Sequence, residues 1–301
     1  MLCIARATRE VDVTTTSPTV RRRRLAAELR RLRGNRTGTV VSRALGWSPA
    51  KISRYELGRS SFPLDEVEKL LDFYGVTEPR RGQLLALAEE ANKRGWWEDY
   101  ADALLPEYME FIGLEAEAVS AAHWQVELVP GLLQTEQYAR HVMSGYEGAV
   151  PTPPGILERR VQVRLIRQQA LTAREPGLQL SAVLDESVLL RSFGGHRVMH
   201  GQLVHLAEMS ELPNVELRVL PLRSDASLIA DSFVIFGFSA LHETTKLGDV
   251  VSTESLKSEL YVEGETDTYI YRQFFRAVSE AALSPAASRD LLRDTAERLW
   301  T

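Results

Sequence analysis

Apolar residues return every three or four positions through the first third of the chain, and each stripe predicts a helix. Leu25, Leu29 and Leu32 form the first stripe, behind the run Arg21 to Arg24. Val67, Leu70, Leu71 and Tyr74 form another that stops at Gly75, and Leu84, Leu85, Leu87 and Ala88 one that stops near Gly95. Between them the spacing predicts shorter helices over 38–45 and 49–57. Ser48 is placed to cap the second of these, with Pro49 at its first position, where a missing N–H is harmless. Past residue 96 the pattern mixes. β-Branched and aromatic runs predict strands at 119–128, 178–184, 215–220, 233–238 and 260–262, and helices are expected over 135–144, 154–171, 196–210, 267–282 and 285–300. The fold class expected is therefore α+β: a five-helix domain over 18–95, then a mixed domain over 96–301 with a mostly antiparallel sheet. Residues 1–17, ending in Thr14, Thr15, Thr16 and Ser17, show no period and are expected to form a disordered arm.

The 38–57 stretch has a further pattern. Small Ser42 and, four positions on, Gly46 allow two helices to meet at a tight left-handed corner. Val41, Leu45, Trp47, Ile52 and Tyr55 fall where the crossing helices bury contact, which leaves Lys51, Ser53 and Arg54 pointing outward. This is the spacing of a helix-turn-helix, whose second helix reads the DNA major groove. On that reading Pro49, Ala50, Lys51 and Arg54 face base edges: Lys51 or Arg54 toward guanine, Ala50 toward a thymine methyl. For Arg54 a phosphate contact, an ion pair with Glu56, or a place beside an arginine of the first helix stands as the alternative. Thr37, Arg43, Ser53 and Arg59 flank the leading face and are expected at phosphates. Glu56, acidic in a basic region, is expected to pair internally. One such module reads a short half-site, so a homodimer on double-stranded DNA is expected, with half-sites one helical turn apart.

Charge sharpens the division. Residues 1–95 hold 19 Lys or Arg against 11 Asp or Glu, a net +8, and residues 96–301 hold 17 against 30, a net −13. A basic module joined to an acidic body fits a DNA binder with a sensing or partner-binding domain, although charge runs also form plain solvated faces. The run Arg21 to Arg24 opposes the dipole of its own helix, so either a DNA phosphate or simple exposure to water is expected there. Cys3 is the only cysteine, which excludes an intrachain disulfide and a cysteine-based zinc site and fits a reducing cytoplasm. The opening residues lack the apolar run of a signal peptide, and no stretch approaches the roughly 20 apolar residues of a membrane span.

The acidic part carries weaker candidates. Trp96, Trp97, Tyr100 and Tyr108 cluster between the two parts and could pin one to the other or stack on bases. His196 and His200 stand four apart, with His205 beyond, a spacing that suits a shared metal but lacks the glutamate of the usual motif; capping or surface histidines are the alternative. Asp185 with Glu186, and Glu254, Glu259 and Glu263, resemble nuclease carboxylates, yet Asp185 is equally placed to cap the helix that follows. No Gly-rich phosphate loop or nucleophile constellation is present, so neither enzymatic activity nor a cofactor is expected.

The segments LAAELRRLR, RALGWSPAKISRYELGR and KLLDFYGV resemble the Xre-type repressor-like DNA-binding domain. WWEDY, FIGLEAEA, LVPGLLQTEQYAR, VLDESVL, ELPNVELRVLPL and LSPAASRDLL are similar to an actinobacterial, WhiJ-like regulator family with an uncharacterised C-terminal domain. The resemblance implies a transcription factor, sometimes labelled antitoxin-like, encoded beside a small BldB-like partner protein. Its C-terminal half would then sense a small-molecule effector or serve as a platform for that partner. Gly38 departs from the pattern, since such repressors often carry there a glutamine that braces the phosphate backbone, and the loop from Gly34 to Arg36 is short.

Overall fold

The computed structural model describes residues 18–58, 60–145, 152–226, 228–239, 248–255 and 258–301; the expected arm and Arg59 lie outside the described residues. The N-terminal part is five helices: α1 (Pro18–Arg33), α2 (Gly38–Leu45), α3 (Pro49–Glu56), α4 (Leu64–Tyr74) and α5 (Arg80–Ala91). The stripes read from the sequence meet in one core, where Leu25, Leu29, Val41, Ile52, Leu70, Leu71, Leu84 and Ala88 are all buried around Phe62. Two of these helices end where glycine ends them. Gly46 and Gly75 take φ of 68° and 70°, a left-handed conformation in which a β-carbon is strained.

The second part opens with a 3-10 turn at Trp96–Tyr100 and α6 (Pro106–Glu117). Its strands are β1 (Ser120–Gln125), β2 (Gln179–Asp185), β3 (Val215–Leu220), β4 (Phe233–Gly237), β5 (Val250–Ser255) and β6 (Ser258–Glu263). They form one sheet in the order β3-β2-β1-β4-β5-β6. The β1–β4, β4–β5 and β5–β6 pairings are antiparallel and the β1–β2 and β2–β3 pairings parallel, so the sheet is mostly antiparallel as expected. The helices between are α7 (Glu136–Gly145), α8 (Pro154–Thr172), the single turn α9 (Ser187–Leu190) and α10 (His196–Met209); α11 (Glu265–Ala281) and α12 (Pro285–Leu299) follow the sheet. Side chains of α7, α10 and α12 close one sheet face around Phe236, Leu184 and Leu203. On the other face Val278 and Phe274 of α11 cover Trp124, Phe233 and Val251. Trp124 is 1% exposed and donates its indole N–H to the Ala230 carbonyl at 3.2 Å. Truncating such a residue to alanine costs about 3–5 kcal/mol.

Two elements were not foreseen. Strand β5 begins with the adjacent pair Val250 and Val251, one buried against each face of the sheet, so no clean alternation announces it. Helix α6, like the 3-10 turn before it, carries aromatic residues that read as a link between domains. The structure corrects that reading: Trp96, Trp97, Tyr100 and Tyr108 pack with Ile112 of α6 and Val163 of α8, inside the second part.

The two parts are joined through α1 instead. Val20 is fully buried in the core of the sheet domain, while Leu25 and Leu29, further along the same helix, lie in the core of the five-helix domain. Close approach of α1 to α6 depends on Gly113, where an added β-carbon would lie 2.1 Å from the Thr19 hydroxyl oxygen.

Candidate nucleic-acid interface

Local capping builds the helix pair. The Thr37 hydroxyl accepts from the Val40 N–H at 3.3 Å and starts α2. At the corner the Trp47 N–H donates to the Ser42 carbonyl at 2.8 Å and the Gly46 N–H to Arg43, so the freed carbonyls of α2 are satisfied as the chain reverses. Ser42 is 2% exposed and returns its hydroxyl to the Thr39 carbonyl at 3.1 Å, which keeps the crossing point small. Ser48 accepts from the Lys51 N–H at 3.2 Å, and Pro49 occupies the first turn of α3. Gly38 faces α3: a β-carbon there would touch the Ile52 side chain at 3.8 Å.

Ile52 and Tyr55 hold α3 down, the Tyr55 ring meeting Trp47 edge-on at 5.9 Å and Phe62 at 5.2 Å. On the opposite side Pro49, Ala50, Ser53 and Arg54 are exposed, as are Thr37 and Arg43 on the flanking helix. Lys51 departs from the expectation. Its ammonium pairs with Glu66 of α4 at 2.6 Å and sits 4.2 Å over the Trp47 ring, so it turns back onto the domain rather than outward. The Tyr55 hydroxyl donates to the same Glu66 carboxylate. Burial would raise that carboxyl, but the bonds from Lys51 and Tyr55 outweigh it and hold Glu66 below the usual carboxylate value. Glu66 stands fifteen positions from Lys51 and no local pattern announces it; only the packing of α4 on α3 brings the two together. Glu56 pairs inward as expected, accepting from the Arg33 guanidinium at 2.6 and 3.1 Å and tying the end of α3 to the end of α1.

The run Arg21 to Arg24 is turned onto the rest of the chain. The Arg22 Nε donates to the Ala91 carbonyl at 2.8 Å, and Arg21 lies 3.8 Å from Glu117 of α6. Arg23 pairs with both Glu110 of α6 and Glu263 of β6. Arg24, 2% exposed, donates to the Ser239 carbonyl at 2.7 Å, and burial holds its guanidinium below the usual value. The anion that this helix start requires is the acidic body of the chain itself.

Elsewhere, Asp185 caps the turn that follows β2, accepting from the Ser187 N–H at 2.9 Å. His196 packs edge-on against the Trp300 ring at 5.4 Å, and burial lowers the His205 imidazole. Among the described residues no group of three or more His, Cys, Asp or Glu is arranged to hold a metal, and no helix is long and apolar enough to cross a membrane.

Two helices meeting at a glycine corner, the second with an exposed polar outer face, make this region a helix-turn-helix, a class of domain that binds DNA. The helix-turn-helix domain family matches residues 24–84, from within α1 into α5. A second family, described as a domain of unknown function (DUF5753), matches residues 108–294, more than half of the chain, and the chain belongs to that family. No curated protein and no solved structure matches it.

Proposed function

We propose that the protein is a sequence-specific transcriptional regulator that binds double-stranded DNA as a homodimer and whose C-terminal domain receives a signal. One observation carries this reading: the outer face of α3 presents Pro49, Ala50, Ser53 and Arg54 to solvent while its inner face is locked by Ile52 and Tyr55. Arg54 is the foremost base reader on that face. Lys51 reaches a base only by leaving Glu66 and Trp47, so its contribution ranks second. Thr37, Arg43 and Ser53 flank the face as phosphate contacts. The likeness to Xre-type, WhiJ-like regulators supports the same role, and no enzymatic step is assigned to the chain.

The test is selection of bound duplexes from a random DNA pool by the full-length protein, followed by affinity at two salt concentrations. The expected result is an enriched two-fold motif with half-sites about 34 Å apart. Arg54→Ala is then expected to lose about 1–3 kcal/mol of discrimination at one base pair. No enrichment from the pool, or tight binding by a monomer in light scattering, overturns the reading.

A second reading makes the C-terminal domain chiefly a platform for a small partner protein of the BldB-like kind, in the antitoxin-like sense. The exposed neighbours Tyr269 and Ile270 on α11, 59% and 63% exposed, are the observation on its side. Loss of co-purification with the adjacently encoded small protein in Ile270→Asp is the expected outcome on that view.

A further inference from the structure

The sheet face beneath α6 and α8 holds a cavity of about 470 Å³. That is within the range of sites for small organic ligands. Register explains its floor: His123 of β1 lies opposite Val234 of β4, Val234 opposite Ser252 of β5, and Ser252 opposite Tyr261 of β6, so one row of side chains crosses the sheet with only Val234 apolar in it. Arg160, Arg164 and Arg167 recur along one side of α8 above it, and Tyr108 and Phe111 of α6 stand beside it with near-parallel rings 6.1 Å apart. Apolar side chains, Leu105, Leu128 and Met143 among them, complete the wall.

Two polar groups there are left over. His123 is 2% exposed, and neither ring nitrogen has a hydrogen-bond partner among the described residues. Such a buried donor and acceptor are costly unless something else meets them. The Arg164 guanidinium gives one N–H to Gln134 at 3.0 Å, while its Nε is buried without a partner and no carboxylate among the described residues pairs with it. Arg167, by contrast, is consumed by Glu115 and the Tyr108 hydroxyl. Burial, reinforced by the nearby Arg167 charge, pushes the His123 imidazole down to about 3, so the ring is neutral and offers one donor and one acceptor. Burial also raises the Glu259 carboxyl to about 7, which keeps a share of it protonated as a further donor.

We propose that this cavity is an effector site for a small organic molecule with a flat apolar body and a single anionic head, the head at Arg164 and His123, and that occupancy is felt at α1 through Arg23. This deepens the reading of the chain as a signal-receiving DNA binder and rests on it. The coupling follows from shared walls. Helix α6 supplies Tyr108 and Phe111 to the cavity and Glu110 to Arg23, while β6 supplies Glu259 to the cavity and Glu263 to Arg23. The two elements are linked directly, the Tyr261 hydroxyl donating to the Glu107 carbonyl at 2.9 Å, and Arg23 lies 5.2 Å over the Tyr261 ring. A ligand that parts α6 from β6 therefore pulls the two carboxylates that hold Arg23 of α1.

The test uses full-length protein and 8-anilinonaphthalene-1-sulfonate, an aromatic anion whose fluorescence rises on binding. N-phenyl-1-naphthylamine, the same body without the sulfonate, is the neutral comparison. Saturable binding of the sulfonate at one site is expected, weakened at least tenfold by Arg164→Met, which leaves binding of the neutral amine unchanged. Leu128→Trp, which enlarges a side chain of the apolar wall, is expected to block both probes, and it keeps the test open if the Arg164 variant folds poorly. Hydrogen exchange in α1 is expected to change when the sulfonate binds. Binding of the sulfonate that both variants leave intact overturns the site, and binding without altered exchange in α1 overturns the coupling. Probe binding at the site in a chain that selects no DNA overturns the DNA-reading function alone.

Discussion

Arg167 of α8 and Glu115 of α6 form a two-pronged ion pair, with Nε to Oε1 at 2.6 Å and Nη2 to Oε2 at 2.7 Å, and their side chains are only 4% and 2% exposed. Burial alone would lower the arginine, but Glu115 and the Tyr108 hydroxyl overcome it and hold the guanidinium above its usual value. Removing one partner strands the other charge away from water. Glu115→Leu or Arg167→Met is each expected to cost about 3–5 kcal/mol in urea unfolding, whereas the double substitution recovers much of that loss.

The contact of α1 with α6 gives a steric prediction. In Gly113→Ala the new methyl would lie 2.1 Å from the Thr19 hydroxyl oxygen and 2.6 Å from its β-carbon. Overpacking of this kind costs about 1–3 kcal/mol. Thermal melts of Gly113→Ala, Thr19→Ala and the pair are expected to show the pair more stable than Gly113→Ala alone; additive losses would place the clash elsewhere.

His123 ties stability to pH. Its imidazole is held near 3 in the fold against 6.5 when free, so between those values the unfolded chain binds the extra proton and stability falls as pH falls. The slope contributed by this one group approaches about 1.4 kcal/mol per pH unit in the middle of that window. Glu259 acts in the opposite sense, because its raised carboxyl contributes stability at low pH that is lost as pH rises through about 7. Urea unfolding at several pH values, for the parent and His123→Gln, isolates the imidazole: the acid loss is expected to shrink in the variant.

On the α2–α3 pair, Thr37 and Arg43 separate capping from DNA contact. Arg43 is exposed, and Arg43→Ala is expected to leave the melting temperature unchanged while lowering the salt dependence of DNA affinity by about one unit of slope. Thr37 caps α2, so Thr37→Ala is expected to cost about 1 kcal/mol of stability as well. Neither substitution is expected to change which sequence is selected.

Much of the five-helix domain was legible because its signals are local. Ser48 beside Pro49, Gly46 and Gly75 at left-handed corners, and leucines at helical spacing specify elements within a few residues, and the bounds of α2 match the expected ones. The sheet was legible as strands but not as an order, since the parallel run β1-β2-β3 is joined across helices. Strand β5 escaped notice because both of its valines are buried, and α6 because its aromatic residues serve a core that forms only against α8.

The sequence by itself determined a helix-turn-helix ahead of a mixed, acidic domain, because caps, periodicity and net charge are properties of short stretches. The destination of the charges was decided by tertiary structure alone. Arg23 finds Glu110 across 87 positions and Arg24 finds Ser239 across 215, so the basic run that a sequence offers to DNA is taken up by the body of the same chain. Lys51 is withdrawn by Glu66 in the same way, and His123, one residue in a strand of mixed character, acquires its meaning from the cavity that distant elements close over it. Electrostatic and hydrogen-bond pairing acts over a few ångströms, a distance that chain separation does not report until the fold has been made.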